Sequence, residues 1–124
     1  MTTDTCPCGT NHPYATCCGP LNAGTPAADA EALMRSRYSA YVLEDADYLR
    51  TSWHPSTRPA SLAFEGPVKW LRLKVLAHRR IDDDHAEVDF VARFIERGRH
   101  GELRERSRFV REGGRWFYVD GDVG

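Results

Sequence analysis

The sequence predicts an α+β fold in which helices come first and an antiparallel sheet follows. Apolar residues recur at helical spacing in the first half, and from Val68 onward the apolar period changes to two. Short turns separate the period-two segments, so neighbouring strands are expected to pair with each other. All four cysteines lie before residue 19, which predicts a separate cross-linked segment at the N-terminus.

Two helices are expected in the first half of the chain. The first runs from about Ala27 to Leu43, with Thr25 as its N-cap. A shorter helix follows over residues 45–53, with Asp45 as its N-cap. The prolines that come next end the helical pattern, so residues 54–67 are expected to form a loop.

Four strands are expected in the second half. They cover about residues 68–79, 85–97, 102–112 and 115–120. Turns rich in Asp and Gly separate them, and Gly113-Gly114 is a two-residue hairpin signal. The result is a four-stranded antiparallel meander.

The expected register decides which side chains share a face of this sheet. The last hairpin would pair Phe109 with Tyr118 and Ser107 with Asp120. A turn centred on Arg99-His100 would pair Phe94 with Glu105. The face toward the helices then holds Phe90, Ala92, Phe94, Leu103, Glu105, Ser107, Phe109, Tyr118 and Asp120. The opposite face carries Arg72, Lys74, Arg93, Arg104, Arg106 and Arg108, offset in part by Glu87 and Asp89.

Composition excludes several classes of protein. No apolar run approaches the roughly 20 residues that span a bilayer, and no basic segment followed by an apolar stretch marks a secretory leader. A cytoplasmic protein without a membrane segment is therefore expected. The net charge of -1 provides no general attraction to nucleic acid, so a nucleic-acid partner is not expected.

The cysteine pattern points to a metal site. Cys6 and Cys8 form one pair, and Cys17-Cys18 form the other after eight intervening residues. Four thiolates suit tetrahedral zinc, and because they fill the coordination shell the zinc would be structural. Gly9 and Gly19 are expected to permit tight turns that aim backbone N–H groups at the sulfurs. Disulfides or free thiols are the alternatives, and His12 is a further potential ligand.

This segment, CPCGTNHPYATCC, resembles the SEC-C motif, the zinc-binding tail of the translocation ATPase SecA and of many small bacterial proteins. The motif has the form Cys-x-Cys, eight residues, then Cys followed by His or Cys. In SecA this module contacts the chaperone SecB and the ribosome. The resemblance therefore implies a protein partner bound through the zinc segment.

The rest of the chain is similar to the YchJ family of uncharacterised bacterial proteins. The resemblance runs through LMRSRYSAYVLEDADYL (33–49), TSWHPSTRP (51–59) and GRWFYVDG (114–121). That family joins a SEC-C segment to a fold similar to nuclear transport factor 2. The resemblance implies a cone-shaped domain in which helices pack into a curved antiparallel sheet and enclose a pocket.

Combining this fold with the expected register gives a candidate pocket. It comprises Arg35, Tyr38, Tyr41, Trp53, His54, Phe94, Glu105, Ser107, Phe109, Tyr118 and Asp120. Buried carboxylates need partners, which a salt bridge from Arg35 to Glu105 would supply in a purely structural network. A ligand-binding or catalytic network is the other interpretation.

His54 is the best single acid–base candidate because its unperturbed pKa is about 6.5. A dyad with Glu105 or Asp120 is a weak catalytic hypothesis, and a capping or hydrogen-bonded structural histidine is the alternative. No phosphate loop, serine nucleophile elbow or His-Glu-x-x-His helix accompanies it.

The expected organisation is a zinc-binding segment at 1–20, a linker at 21–26 and a cone-shaped domain at 27–124. The leading functional hypothesis is a small zinc protein that acts by binding a protein partner and a small molecule. An enzyme similar to hydrolases or isomerases is the second hypothesis. Association with RNA or the ribosome through the arginine-rich face is the third.

Overall fold

The computed structural model describes residues 5–62, 64 and 68–124. Within these ranges, a 3₁₀ turn at Tyr14–Thr16 precedes three α-helices and four strands. The helices are α1 (Cys18–Asn22), α2 (Ala30–Leu43) and α3 (Ala46–Thr51). The strands are β1 (Val68–Arg80), β2 (His85–Glu96), β3 (Arg99–Glu112) and β4 (Arg115–Val123).

The two helices expected from the sequence are present, with one corrected start. Helix α2 begins at Ala30 because Asp29, not Thr25, is its N-cap; the Asp29 carboxylate accepts from the Ala32 N–H at 2.7 Å. Asp45 caps α3 as expected and accepts from the Tyr48 N–H. Helix α3 ends at Thr51, and Trp53 then pairs with Tyr118 of β4.

The short helix α1 was not expected from the sequence. It is only five residues long and runs into the predicted linker. A helix of that length gives no readable apolar period. It is ordered by tertiary contacts, since the Asn22 side chain accepts from the Tyr14 hydroxyl at 2.7 Å and donates to a backbone carbonyl of α2.

The sheet is antiparallel, curved and unclosed, with strand order β1-β2-β3-β4. The predicted pairing of Phe94 with Glu105 was wrong, because the second turn is centred on Arg97-Gly98 and Phe94 pairs with Gly101. Both turn residues have positive φ, as a tight two-residue hairpin requires. The error was four residues, an even number, so the predicted faces of β2 and β3 were unaffected.

A β-bulge corrects the last predicted register. Phe109 pairs with Tyr118 as expected, but a shift between Arg108 and Phe109 places Asp120 opposite Arg108. Ser107 therefore faces Gly121 instead of Asp120. The bulge moves the Asp120 side chain to the arginine-rich face, because one extra residue reverses the alternation of side chains along the strand.

Helix α2 is the centre of the molecule. Its apolar side chains join those of the sheet in one core, which includes Leu33, Tyr38, Val88 and Phe109. Ser36 and Ser39, on other sides of the same helix, are also fully buried. The helix is thus covered by the sheet, by α3 and by the N-terminal segment. Within the described ranges, no helix is long and apolar enough to cross a bilayer.

Candidate metal centre and ligand cavity

The four cysteines form a compact cluster at the N-terminus. The sulfurs of Cys6, Cys8, Cys17 and Cys18 all lie within 4.8 Å of one another, and none is in a disulfide. Cys8 Sγ and Cys17 Sγ are 3.6 Å apart. A tetrahedral site with metal–sulfur bonds of about 2.3 Å places its sulfurs about 3.8 Å apart. The donor set and its spacing therefore fit a metal ion.

Hydroxyl groups surround the sulfurs. Thr10 Oγ1 lies 3.2 Å from Cys17 Sγ and 3.6 Å from Cys8 Sγ, and Ser39 Oγ lies 3.5 Å from Cys6 Sγ. The turn at Gly9, where φ is positive, brings the Thr10 backbone N–H into a hydrogen bond with the Cys8 sulfur, as expected, while the Gly9 N–H donates to the Cys6 carbonyl. Thr10 and Ser39 were not identified from the sequence.

Hydrogen bonds link the thiols within the cluster. A hydrogen bond with Cys18 lowers the pKa of Cys8 to about 4, and the same bond, together with burial, raises the pKa of Cys18. Burial also raises the pKa of Cys17. Because this arrangement favours the neutral thiols at Cys17 and Cys18, a bound cation would be needed to hold them as thiolates.

The cysteine cluster packs directly on α2. Besides the contact between Cys6 and Ser39, the Arg35 guanidinium donates to the Cys8 carbonyl at 2.7 Å. The Asn22 side chain of α1 adds a hydrogen bond of 3.1 Å to a backbone carbonyl of α2. The exposed residue His12 is not part of the cluster of potential ligands.

On its other side, α2 helps to enclose a cavity of about 190 Å³ against the sheet. The walls are mostly aromatic and aliphatic, with a few polar groups. They are formed by Met34, Arg37, Tyr38, Tyr41, Trp53, Trp70, Phe90, Leu103, Glu105, Ser107, Phe109 and Tyr118. Trp53 reaches this position because the Tyr118 N–H donates to the Ser52 carbonyl, and the His54 N–H donates to the Tyr118 carbonyl.

Two charged side chains line the cavity. Arg37 is 5% exposed, and its Nη1 donates to the Leu49 carbonyl at 2.8 Å and to Ser52 Oγ at 2.6 Å. Glu105 accepts from the hydroxyls of Ser107 and Tyr118 through the same oxygen, Oε2. The guanidinium lies over the Tyr118 ring, 4.5 Å from its centroid.

Seven of the residues expected in the pocket line this cavity, and four lie elsewhere. Arg35 points to the cysteine cluster, whereas Arg37 lines the cavity. The two side chains are two residues apart on α2 and therefore point in different directions. Phe94 packs on Trp70 beyond the cavity, with ring centroids 5.4 Å apart. Asp120 binds Arg108 on the outer face at 2.6 Å because of the bulge in the β3–β4 pairing.

His54, the fourth, is held outside the cavity by its local turn. The Ser56 N–H donates to His54 Nδ1 at 3.1 Å, which makes Nδ1 an acceptor and leaves the Nε2 proton for Glu112, at 2.6 Å. The predicted dyad with Glu105 or Asp120 is not assembled, because the histidine is paired with Glu112 and only Glu105 lines the cavity. A serine hydroxyl, Ser56 Oγ, also lies 2.7 Å from Nδ1.

The arginine-rich outer face is partly neutralised by carboxylates. Asp89 lies between Arg79 and Arg106, at 2.9 and 3.0 Å. Desolvation opposes ionisation of Asp89, but the hydrogen bonds from the two arginines outweigh it and lower the pKa of its carboxyl. Arg108 bonds both Asp120 and Asp122.

Comparison with known proteins agrees with this architecture. The family model described as the YchJ middle domain, NTF2-like, matches residues 29–121, and the SEC-C motif matches residues 3–20. The chain belongs to the YchJ family. A UPF0225 protein of Polaromonas naphthalenivorans is 58% identical over 98% of both chains. Another UPF0225 protein, of Bordetella pertussis, is 53% identical over 95% of this chain and 92% of its own.

Two solved structures share the YchJ-family fold of this chain. The solution structure of a SEC-C motif containing protein from Rhodopseudomonas palustris superposes with a TM-score of 0.86 at 36% identity, covering 98% of this chain and 99% of that one. The crystal structure of a SEC-C motif containing protein from Psychrobacter arcticus gives a TM-score of 0.80 at 28% identity, covering 98% and 83%. The curved, unclosed sheet and the N-terminal cysteine segment thus belong to a shared architecture.

Proposed function

We propose that the protein is a zinc-stabilised binding protein whose cavity accepts a small molecule. The observation that carries this proposal is the position of α2 between the two sites. One side of the helix contacts the cysteine cluster through Arg35 and Ser39, and another side lines the cavity through Arg37 and Tyr38.

Zinc is the ion that best suits the cluster. Four sulfur donors without an oxygen ligand favour zinc over the hard cations Ca²⁺ and Mg²⁺. A closed four-thiolate shell has no position for a substrate, so the metal would act structurally, neutralising the thiolates and cross-linking the two cysteine pairs. Residues 5–18 contain little apolar surface, so that cross-link would supply much of their order.

Binding is favoured over catalysis by the contents of the cavity. Its walls are largely apolar, and the histidine expected to act as acid or base lies outside them, bonded to Glu112. A small cavity with few polar groups is typical of a ligand site in which those groups set orientation.

The experiment is native mass spectrometry of the freshly purified chain, with the double variant Cys17→Ser plus Cys18→Ser and the control His12→Ala. We expect one zinc per chain in the wild type and in His12→Ala, and none in the double variant. Screening the zinc-loaded protein with a fragment library by NMR then tests the cavity. The proposal fails if no fragment shifts the resonances of residues such as Phe109 and Tyr118.

A protein partner is a second candidate function, favoured by the exposed loop between the two cysteine pairs. Asn11, His12 and Pro13 are exposed there, on a segment whose other side is occupied by α2. A pull-down comparing wild type with the double cysteine variant tests this role. Identical partner profiles would remove the cysteine cluster from any binding function.

A further inference from the structure

Arg37 is a buried cation that is only partly satisfied by the chain. Its Nη1 hydrogen bonds leave the N–H groups of Nε and Nη2 without an acceptor in the described part of the chain. Its other contacts are the rings of Trp53 and Tyr118, whose centroids lie 5.1 and 4.5 Å from the guanidinium carbon. No carboxylate in the described ranges forms an ion pair with it.

The free N–H groups border open space. No fully buried side-chain nitrogen or oxygen in the described part of the chain lacks a hydrogen-bond partner. The unpaired N–H groups of Arg37 are therefore not sealed in the core, and the open space beside this side chain is the cavity. Burial lowers the pKa of Arg37 from its ordinary value. The guanidinium nevertheless stays charged, since an arginine in a protein does not deprotonate.

We infer that the cavity binds a small organic carboxylate, with Arg37 as its anchor. A guanidinium presents parallel N–H groups that match the two oxygens of a carboxylate. A buried charge is costly unless it is paired, and a bound anion would supply the missing pair. This inference rests on the proposed small-molecule role and names its ligand class.

The size and lining of the cavity limit the rest of the ligand. A cavity of about 190 Å³ is only slightly larger than one of about 150 Å³ that accepts benzene. The remaining walls include Trp70, Phe90, Leu103 and Phe109, which offer no charge. The ligand is therefore a compact carboxylate with an aromatic or branched aliphatic body.

Glu105 is the competing anchor, because it would favour an amine. Its Oε2 already accepts hydrogen bonds from Ser107 and Tyr118, so its charge is stabilised within the chain. Arg37 also has two hydrogen bonds within the chain, but it is the more buried of the two charges, since it is 5% exposed whereas Glu105 is half-buried. An anion that pairs with the more buried charge offsets the larger desolvation cost, so the cavity favours an anion.

The test compares how three small molecules, benzoate, benzamide and benzylamine, bind to the zinc-loaded full chain. They share a phenyl ring and carry an anionic, a neutral and a cationic group, and their binding is measured by NMR and calorimetry. We expect benzoate to bind and to shift the resonances of Phe109 and Tyr118, with benzamide and benzylamine bound at least about tenfold more weakly. Arg37→Met should weaken benzoate about 30-fold, the loss typical of removing one partner of a buried charge pair. Arg37→Lys should recover only part of the affinity, because it lacks the fork.

The control variant is Arg93→Met, the same substitution at an exposed position outside the cavity, which should bind benzoate as the wild type does. If Arg37→Met does not fold, the three-probe comparison on the wild type still decides. Equal binding of benzoate and benzamide, or tighter binding of benzylamine, would overturn the carboxylate assignment and leave the small-molecule role standing. Binding of none of the three, with no response to the fragment library either, would remove both.

Discussion

Tyr118 joins the two charged groups of the cavity. Its hydroxyl donates to Glu105 at 3.2 Å while its ring lies under the Arg37 guanidinium. Burial, and then the negative charge of Glu105, raises the pKa of Tyr118 above its ordinary value. The fold therefore favours the neutral phenol. The stability that this preference contributes is fully present below pH of about 10 and is lost as the pH rises from there toward the folded-state pKa.

Tyr118→Phe tests this contribution. At neutral pH the free energy of unfolding of the variant should be lower by about 1.5 kcal/mol, because one hydrogen bond to a charged acceptor is lost. Above pH of about 10 the difference in the free energy of unfolding between wild type and variant should narrow. Wild type loses stability there as Tyr118 of the unfolded chain ionises, whereas phenylalanine has no proton to lose. Urea unfolding at pH 7 and pH 10.5 measures both, and a gap that stays constant or widens would contradict the assignment.

At the scale of single residues, the sequence predicts which residue types form the cavity more readily than which way each side chain points. It favoured Arg35 as the buried cation, but Arg35 binds the Cys8 carbonyl and Arg37 lines the cavity. The two arginines are two residues apart on one helix, and which one faces the sheet depends on how the helix is rotated. The signal available was the pair Ser36 and Ser39, small residues that mark the side of α2 covered by other elements.

At the scale of elements, the cap of α3 fixes where Trp53 lies. Asp45 begins a helix of only six residues, and the chain leaves it directly into the pairing with β4 that places Trp53 on the cavity. Asp45→Ala should lower the free energy of unfolding by about 1 kcal/mol, whereas Asp45→Asn should be close to wild type, because Asn and Asp cap equally well. Thermal unfolding distinguishes them, and equal losses in both variants would show that capping is not the cause.

The pairing of Phe94 with Gly101 makes a second element-scale prediction. A Cβ at position 101 would lie 2.6 Å from the Phe94 ring, so the glycine leaves the space that the ring fills. Gly101→Ala should cost about 1–3 kcal/mol through overpacking. The same substitution in a Phe94→Leu background should cost less, because the ring is gone. Chemical unfolding of wild type, the two single variants and the double variant measures these free energies. If the losses of the two single variants simply add in the double variant, the contact is not the cause.

The elements themselves were predictable, and their registers were not. Period-two alternation located the four strands, but the four-residue stretch from Gly98 to Gly101 allowed more than one turn, and Arg97-Gly98 forms it. The bulge that moved Asp120 carries no pattern in the sequence, because it depends on how β4 fits against β3. Helix α1 was missed because its order comes from contacts with α2.

At the scale of the whole molecule, the proposed zinc ion should stabilise α2 as well as the N-terminal segment, because the cysteine cluster packs on this helix. If zinc holds the N-terminal segment against this helix, a chelator should lower the midpoint of thermal unfolding and increase amide exchange in α2 more than in β2. Hydrogen-exchange mass spectrometry resolves the two elements. Exchange confined to residues 5–22, with α2 unchanged, would show that the segment is ordered independently of the domain.

The central claim is that four cysteine thiolates hold one zinc ion and thereby fix the N-terminal segment on α2. Its most direct measurement is the metal content and thiol state of the freshly purified, folded protein by native mass spectrometry. The expected result is one zinc per chain, released with recovery of four free thiols when the protein is unfolded in chelator. A well-folded protein that is metal-free, or whose cysteines are joined as disulfides, would contradict the claim.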